Sequence, residues 1–573
     1  MEGWAIADNR KEEEKKKRWR REEVARGVAN FEKGCGGGNS QRQLAEELKI
    51  PRSTLQHWLE RKESIDADLE VVAFFESPAG VAFLHRLVLA AHFVITLFGA
   101  GGIRLVCLFL ELSGLSQFVA ASYGAQQKVS VAMEEVVVEF GQEEGERLAE
   151  GMEAKKITVC EDETFHPEIC LVAIEPASNY ILLEKYADSR KAAEWTKSME
   201  QATVGLPIEI VQSTSDEGRG ILSHAKKDLG AHHSPDVFHV EQELVKGSSF
   251  ALSSRKRKAE EAVDKALEEV KRHQEQKEAY HRQEPRRPGR PPGFDKRIKE
   301  AQEKEQEAKQ TLETAEAHQE RAKQAIRGIS QVYHPYDLET GVPRSAEEVS
   351  AALEKQFSEI EEVAAEAELP ERSLKKIRKA KRLIVEMVAT IAFVFLGIKA
   401  RVEALSLAPE VEQAIYGNLI PAIYLHLVSK KAGCAAQRHQ LQRKSDELLL
   451  PLLARDGPFK GLDKEDLVLI EKVSIECAQL FQRSSSCVEG RNGLLALFHH
   501  SLHRLSNRKL SALTTVHNYF IKRSDGTTAA ERFFGSQPKG LFEWLLERVD
   551  IPGYPARKRS QPNRKVYLSQ PLV

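Results

Sequence analysis

Two short runs rich in β-branched residues each end close to carboxylates. Lys156–Cys160 leads into Asp162 within a cluster of acids, and Ile208–Val211 is followed by Asp216 in a polar stretch. Hard divalent cations prefer carboxylate oxygens, and the ends of strands hold such side chains rigidly. The two aspartates therefore predict a metal site, with a third acid supplied from elsewhere in the chain.

The segments around these aspartates predict the elements that position them. Ile169–Ile174 and Tyr180–Leu183 complete a three-strand meander, with a turn at Pro176 and Asn179, and Asp162 is predicted at the tip of the first strand. Further along, the pattern predicts a helix at 190–199, a strand to Val211, a helix at 220–229 and a strand at 236–240. This order of elements is that of a ribonuclease-H-like core.

Asp162, Asp216 and Glu489 resemble the two aspartates and the glutamate of a DDE transposase. Glu489 follows a Ser-rich loop and enters a helix with Arg491 and Asn492. The long, strand-poor stretch between Asp216 and Glu489 is similar to the all-helical insertion of Mutator-like and hAT-like transposases. Asp236-Val237-Phe238-His239 matches the acid-or-cysteine-x-x-His element of that group.

The resemblance implies DNA strand cleavage and strand transfer at the ends of a mobile element. It places two Mg²⁺ ions, with Mn²⁺ as a substitute, on Asp162, Asp216 and Glu489. Asp236, His239 and Arg491 are expected to support the site. Glu489 can also be read as an acid favoured by a helix N-terminus, and His239 as a buried structural histidine.

Residues 39–64 resemble a helix-turn-helix. Ser40 is placed to cap a first helix carrying Leu44, Ala45 and Leu48, and Ile50-Pro51 separates it from a second helix with Leu55, Trp58 and Leu59 facing inward. The outward residues that would face a DNA major groove are Arg52, Ser53, Thr54, Gln56 and His57. The alternative interpretation is an ordinary helical hairpin.

Two long polar helices follow the β-rich segment. Val263, Leu267 and Val270 recur at coiled-coil spacing in the first, and a 3-4 pattern that includes Leu312 and Ile326 marks the second. The Pro- and Arg-rich turn at 285–293 predicts an antiparallel hairpin. Its tip, with Arg287 and Arg290, is similar to a minor-groove AT-hook, and the alternative is a plain exposed turn.

Composition limits the class of protein. The chain has 573 residues, 41% of them hydrophobic, and a net charge of −2, so DNA affinity must come from local basic patches. Its seven cysteines form no C-x-x-C pair, which argues against a zinc site and a disulfide framework and fits a reducing compartment. The apolar region 80–115 contains charged residues, so buried helices are expected there and no membrane association.

The predicted fold class is mixed α/β and mostly helical. A ribonuclease-H-like core, with a mixed five-stranded sheet and helices, is interrupted by a large all-α insertion and preceded by a helical DNA-binding domain. The predicted order is a charged arm and Gly-rich linker (1–38), the helix-turn-helix (39–64), a helical domain (65–150), the first part of the core (151–250), the insertion (251–480), the last part of the core (481–550) and a basic tail (551–573).

The function predicted from these features is that of an active transposase. Its expected partners are double-stranded DNA, as element ends and target, and further copies of the chain in a homodimer or larger synaptic assembly. The expected location is the cytoplasm of a bacterial-type cell, in association with the nucleoid. Two alternatives remain open: a catalytically inactive DNA-binding regulator derived from a transposase, and a ribonuclease-H-like nuclease that cannot join strands.

Overall fold

The structure is a computed structural model that describes residues 19–165, 168–282 and 292–555. The chain divides into two compact units. The first combines the residues up to Met152 with those from Gly493 onward, and the second is Glu153–Asn492. Each unit has its own hydrophobic core and is described by itself below.

The first unit begins with helices alone. They are α1 (Arg21–Gly36), α2 (Gln41–Glu47), α3 (Arg52–Glu63), α4 (Leu69–Phe75), α5 (Pro78–His92), α6 (Ile103–Leu112) and α7 (Tyr123–Glu150). A π-helical segment, Phe93–Phe98, extends α5, and a short 3-10 turn, Leu115–Gln117, precedes α7. Capping serines begin several of these helices; Ser122, for example, accepts a hydrogen bond from the backbone N–H of Ala125.

The two helices predicted for residues 39–64 are present as α2 and α3. The Ser40 hydroxyl accepts a hydrogen bond of 3.4 Å from the Gln43 N–H, and the Gln43 side chain accepts one of 3.0 Å from the Ser40 N–H. This reciprocal capping starts α2. Lys49 has a φ of 54° in the turn that follows α2. Leu44, Ala45 and Leu55 are buried, as the sequence predicts.

The predicted arm and Gly-rich linker need correction, because α1 packs against α2 and α3. Its Phe31 shares their hydrophobic core. A Cβ at Gly34 would lie 2.4 Å from Leu44 Cδ2, so this glycine allows two helices to approach closely and does not serve as a joint. Among the four glycines of this stretch, Gly37 and Gly38 lie outside α1. Residues 1–18 lie outside the described part of the chain.

The second unit contains a five-stranded mixed sheet. Its strands are β1 (Lys155–Phe165), β2 (Ile169–Glu175), β3 (Tyr180–Ala187), β4 (Ile208–Ser215) and β5 (His232–Pro235), in the order β3-β2-β1-β4-β5. β1, β2 and β3 form the predicted antiparallel meander, and Asn179 makes its turn with a φ of 64°. β4 and β5 extend the sheet in parallel beyond β1.

Helices α8 (Ala192–Thr203) and α9 (Arg219–Ser223) flank β4 in the chain, and a π-helical segment, His224–Asp228, follows α9. The buried Trp195 and Met199 of α8 pack on Leu171 and Ala173 of β2. This packing covers one face of the sheet with apolar side chains. The helices predicted at 190–199 and 220–229 are therefore confirmed in position.

The predicted strand at 236–240 is wrong. Residues from Val237 onward belong to α10 (Val237–His281), and the fifth strand lies just before them. Asp236 ends the strand because its carboxylate accepts a hydrogen bond of 2.8 Å from the Phe238 N–H and caps α10. Val237, Val240 and Leu244 are buried at the three- and four-residue spacing of a helix face.

From α10 to Asn492 the described residues form helices without a further strand of the sheet. They are α11 (Phe294–Val332), α12 (Ala346–Glu366), α13 (Glu371–Lys381), α14 (Ile384–Glu403), α15 (Pro409–Ala414), α16 (Ile420–Lys430), α17 (Ala435–Leu453), α18 (Lys464–Gln479) and the start of α19 (Ser486–Leu502), with a π-helical segment at Ile415–Leu419. Leu353, Phe357 and Ile391 are among the fully buried residues of their core.

The predicted antiparallel hairpin is formed by α10 and α11. Lys277 contacts Asp295 at 2.6 Å near its tip, and Lys256 contacts Glu316 at 2.8 Å farther down. The pairing runs in opposite chain directions, as an antiparallel hairpin requires. Residues 283–291, which include Arg287 and Arg290, lie outside the described residues, so the minor-groove prediction for the tip stays a prediction.

The first unit is completed by helices that follow α19. These are α20 (Asn507–Tyr519), α21 (Ala529–Phe534) and α22 (Leu541–Arg548). Thr515 and Tyr519 of α20 contact Gly141 and Phe140 of α7. The prediction that 481–550 completes the core around the sheet is thus wrong beyond Asn492, because α20 and α22 pack against α7. The basic tail from residue 556 lies outside the described residues.

Two segments are long and apolar enough to cross a membrane by length and composition, Pro78–Phe98 and Glu371–Glu403. Within their most apolar windows, 44% and 33% of the residues are buried inside the protein. Leu84 and Val88 belong to the core of the first unit, and Met387 and Ile391 to that of the second. The helices expected at 80–115 are present, but they are buried on one side only, because Phe83, Phe98 and Leu112 are exposed.

Candidate functional site

Asp162 and Asp216 occupy equivalent positions on neighbouring strands. The last pair in the parallel register of β1 and β4 joins Glu161 to Ser215, and the two aspartates come directly after it. Adjacent strands lie about 4.8 Å apart. Asp162 is not at the tip of β1, as predicted, because β1 continues to pair with β2 as far as Phe165. It lies where the parallel pairing with β4 ends.

Asp162 faces the segment that leads into α19. Side chains alternate between the faces of a strand, so Asp162 shares its face with Cys160 and Thr214. The Cys160 thiol donates to the Ser484 carbonyl at 3.8 Å, and the Thr214 hydroxyl donates to the Gln482 carbonyl at 3.5 Å. Residues 482–484 therefore lie against this face of the sheet.

Asp236 fixes the same segment from the other side. One of its carboxylate oxygens caps α10, and the other accepts hydrogen bonds from the N–H and the hydroxyl of Ser485. The Val237 N–H also donates to the Arg483 carbonyl at 2.9 Å. Asp236 is buried, and its contacts assign it a positioning role at the start of α19.

α19 crosses the sheet face and carries Glu489, Arg491 and Asn492. The Arg491 guanidinium donates to both carboxylate oxygens of Glu184, at 2.7 and 2.5 Å, and both side chains are buried. Glu184 lies on β3 in line with Val172 of β2 and Asp162 of β1. Arg491 thus anchors the helix to β3. Among the described residues, no hydrogen bond or ion pair joins it to either aspartate.

Asn492 is a site residue that the sequence analysis did not assign. Its side-chain N–H donates to an Asp162 carboxylate oxygen at 3.0 Å, and its own carbonyl oxygen is buried without a hydrogen-bond partner among the described residues. Asn492 stands three residues after Glu489, so both project from one side of α19. That spacing is the signal from which it could have been found.

His239 approaches Glu489. Its Nε2 atom lies 4.0 Å from a Glu489 carboxylate oxygen and has no hydrogen-bond partner within the described part of the chain. His239 is in the first turn of α10, which Asp236 caps. Asp236 thus bonds to the start of α19, and His239, three residues later, lies beside Glu489 of the same helix.

The pKa of Asp162 is raised from 3.8 to about 7. Burial is the largest cause, and the nearby charges of Asp216 and Glu489 raise the pKa further. A hydrogen bond of 2.8 Å from the Glu163 N–H and the proximity of His239 act in the opposite direction. The charges of Asp216 and Glu489 therefore both act on the pKa of Asp162, as expected if the three acids lie close together.

The acids next to Asp162 in the chain have other partners on the opposite face. Glu161 is fully buried, accepts a hydrogen bond from Ser213, and lies 3.4 Å from His224. Glu163 accepts a hydrogen bond of 3.1 Å from the Trp195 indole N–H. Of the three acids, Asp162 is the one that bonds to α19, through Asn492.

The raised pKa of Asp162 predicts a loss of stability with rising pH. Between pH 3.8 and about 7 the folded chain keeps a proton that the unfolded chain has released, so the free energy of unfolding falls through this window. Asp162→Asn removes this effect. We expect the variant and the wild type to have similar thermal midpoints near pH 4. At pH 8 without metal, the variant should be on the order of 2–4 kcal/mol more stable than the wild type. Thermal unfolding at both pH values is the measurement, and equal midpoints at pH 8 contradict the prediction.

The residues predicted to contact DNA in the first unit lie on α3. Arg52, Ser53, Gln56 and His57 are exposed, and Thr54 is half-buried. Gln56 donates to Glu60 on the same helix at 3.2 Å. The outward face of α3 is thus available over two turns.

Comparison with protein families gives one match that reaches this site. Residues 415–561 match a family of unknown function, DUF6399. The matched region includes α19 with Glu489, Arg491 and Asn492, whereas the strands that carry Asp162 and Asp216 precede it. No curated protein matches the chain.

Proposed function

We propose that this chain is a DDE transposase whose three metal-binding acids are Asp162, Asp216 and Glu489. The observation that carries the proposal is the position of Asp162 beside Asp216 at the end of their parallel pairing, on the face that meets α19. The strand order β3-β2-β1-β4-β5 supports a ribonuclease-H-like core. In this proposal, α10–α18 are the insertion that separates Asp216 from Glu489.

The donor set fits Mg²⁺ or Mn²⁺. Asp162, Asp216 and Glu489 offer carboxylate oxygens alone, which is the chemistry that these hard cations prefer. Asp162 is half-buried, and burial is the largest cause of its raised pKa, with smaller contributions from the charges of Asp216 and Glu489. A bound cation would offset both effects. Two divalent ions held there would supply charge neutralisation at the reacting phosphate and would bind and acidify the attacking water.

The chain's own residues would hold this site in shape. Arg491, through Glu184, fixes the distance of α19 from the sheet, and Asp236 fixes its start through Ser485. The Asn492 amide would orient the Asp162 carboxylate by bonding to Oδ2, which leaves Oδ1 directed away from Asn492. His239, beside Glu489, is placed to hold a phosphate oxygen or a proton near that acid.

The exposed face of α3 supports DNA recognition, with Arg52, Ser53, Thr54, Gln56 and His57 as contacts. We expect Arg52→Ala to weaken binding about tenfold or more, because a good side-chain contact to DNA is worth about 1–3 kcal/mol. The probe is a labelled duplex selected from a random library by the full chain, and fluorescence anisotropy gives the dissociation constant. Lys399→Ala, at an exposed lysine of α14, is the control. Equal affinities of the two variants would contradict this role of α3.

The proposal is tested with the DNA that flanks the coding region. A plasmid carrying both flanks is incubated with the full chain and MgCl₂, and the products are resolved by gel and sequenced. A transposase gives nicks with 3′-OH ends at the flanks, followed by joined products. Binding without cleavage selects the inactive regulator, and hydrolysis without joining selects the nuclease. Larger assemblies on DNA and a nucleoid location in a bacterial cell are part of the same proposal.

A further inference from the structure

A second group of metal-binding side chains lies at the edge of the sheet. Glu217, just after β4, His233 on β5 and Glu386 in the first turn of α14 each offer one ligand atom, and these atoms lie within 4.8 Å of one another. The three residues come from a loop, a strand and a helix. Their convergence is a tertiary feature that spacing along the chain does not reveal.

The hydrogen bonds of His233 suit a metal ligand. The Ser215 hydroxyl donates to the Asp216 carbonyl at 3.0 Å and lies 3.1 Å from His233 Nε2. In the tautomer with the proton on Nε2, the ring donates to Ser215, and Nδ1, which lies 3.3 Å from a Glu386 carboxylate oxygen, can bind an ion. Metal-binding histidines have this arrangement, in which the second ring nitrogen donates to an outer partner that fixes the ring.

The two glutamates complete the set. Glu217 has a buried carboxylate oxygen, Oε1, that has no hydrogen-bond partner among the described residues. A buried oxygen of this kind is costly unless a cation or donor reaches it. Glu386 gives one oxygen to Lys226 at 2.9 Å and directs the other at His233. One oxygen of each glutamate is thus available beside the imidazole nitrogen.

We propose that Glu217, His233 and Glu386 bind one Zn²⁺ ion that fastens α14 to the edge strand β5. One imidazole and two carboxylates form a borderline donor set that suits Zn²⁺ better than Mg²⁺ or Ca²⁺, which prefer oxygen ligands alone. Three protein ligands leave a fourth position for water. Because the ligands come together in the folded chain, the ion stabilises the fold.

This site lies on the other face of the sheet from Asp162, although Glu217 directly follows Asp216 in the chain. His233 is in register with Ser213 of β4, so its side chain lies on the face of Ser213, Ser215 and Glu161. Asp162 lies on the other face, against α19. The proposal therefore does not depend on the catalytic function proposed above.

The test is zinc binding by the full chain after removal of metals with a chelator. ZnCl₂ is added in the presence of excess MgCl₂, and bound zinc is measured by equilibrium dialysis. We expect one tightly bound ion in the wild type, and a rise of the thermal midpoint with zinc. His233→Gln and Glu386→Gln each remove a ligand and should weaken binding at least tenfold and abolish that rise.

Two matched controls lie on the same elements. His232→Gln changes the adjacent residue of β5, whose side chain bonds to Thr390, and Glu403→Gln changes an exposed glutamate at the end of α14. Both should bind zinc as the wild type does. The proposal is overturned if the wild type binds no zinc, or if His233→Gln and Glu386→Gln bind it as tightly as their controls. Glu386→Gln, at a half-exposed helix position, keeps the test valid if His233→Gln fails to fold.

Discussion

Asp162→Asn is expected to abolish Mg²⁺-dependent nicking while leaving DNA binding intact. The Asp162 carboxylate accepts a hydrogen bond from the Asn492 amide and is affected by the charge of Asp216, and its replacement removes a charged oxygen ligand without changing the size of the side chain. The loss of several kcal/mol of charge stabilisation at the reacting phosphate corresponds to a rate reduced about a thousandfold or more. Plasmid nicking with purified protein measures this rate, and anisotropy on the same duplex measures binding.

The matched control is Asp188→Asn, at an exposed aspartate just after β3. It should nick at the wild-type rate. If Asp162→Asn nicks as fast as this control, the assignment of Asp162 as a metal ligand is wrong. If both variants fail to bind the duplex, the loss reflects folding, and circular dichroism of the two variants separates that outcome from a loss of chemistry.

Arg491→Met is expected to destabilise the second unit by on the order of 3–5 kcal/mol, because it removes the guanidinium that pairs with the buried Glu184 carboxylate. Only 2% of the Arg491 side chain and 0% of the Glu184 side chain are exposed, and two hydrogen bonds join them. The same change frees α19 from β3, so nicking should also fall. Thermal and denaturant unfolding measure the loss of stability.

The double variant Glu184→Met/Arg491→Met distinguishes a lost ion pair from lost packing. It removes both charges together, so we expect it to regain much of the stability that Arg491→Met loses. Lys460→Met is the control for an exposed pair, since Lys460 and Asp456 are 67% and 86% exposed, and it should change stability by less than about 0.5 kcal/mol. A single Arg491→Met variant as stable as Lys460→Met would show that the buried pair does not hold α19.

Much of the sheet could be predicted from local pattern. The apolar runs of β1, β2 and β3 and the Asn179 turn are signals of short range, and the positions of Asp162 and Asp216 follow from where their strands end. The fifth strand could not be predicted in this way. Val237 and Val240 fit a strand by residue type, but their spacing also fits a helix, and Asp236 decides the matter by capping α10.

The rest of the site depends on contacts between distant parts of the chain. Nothing in the local sequence indicates that Glu184 binds α19, because a polar residue in β3 is ordinary in a strand whose side chains alternate between two faces. Glu386 meets His233 only once α14 lies beside β5. The boundary at Asn492 was missed for the same reason, since the residues of α20 pack on α7 and carry no mark that separates them from α19.

The packing of α20 and α22 on α7 also has a consequence for synthesis on the ribosome. The apolar side of α7, with Phe140 and Val137, emerges early, but the helices that cover it come after residues 153–492 have been made. At about 5–20 residues per second this delay lasts on the order of half a minute. Through that interval the nascent chain exposes the apolar side of α7. Its yield in a cell should therefore depend on the supply of chaperones that bind exposed apolar surfaces.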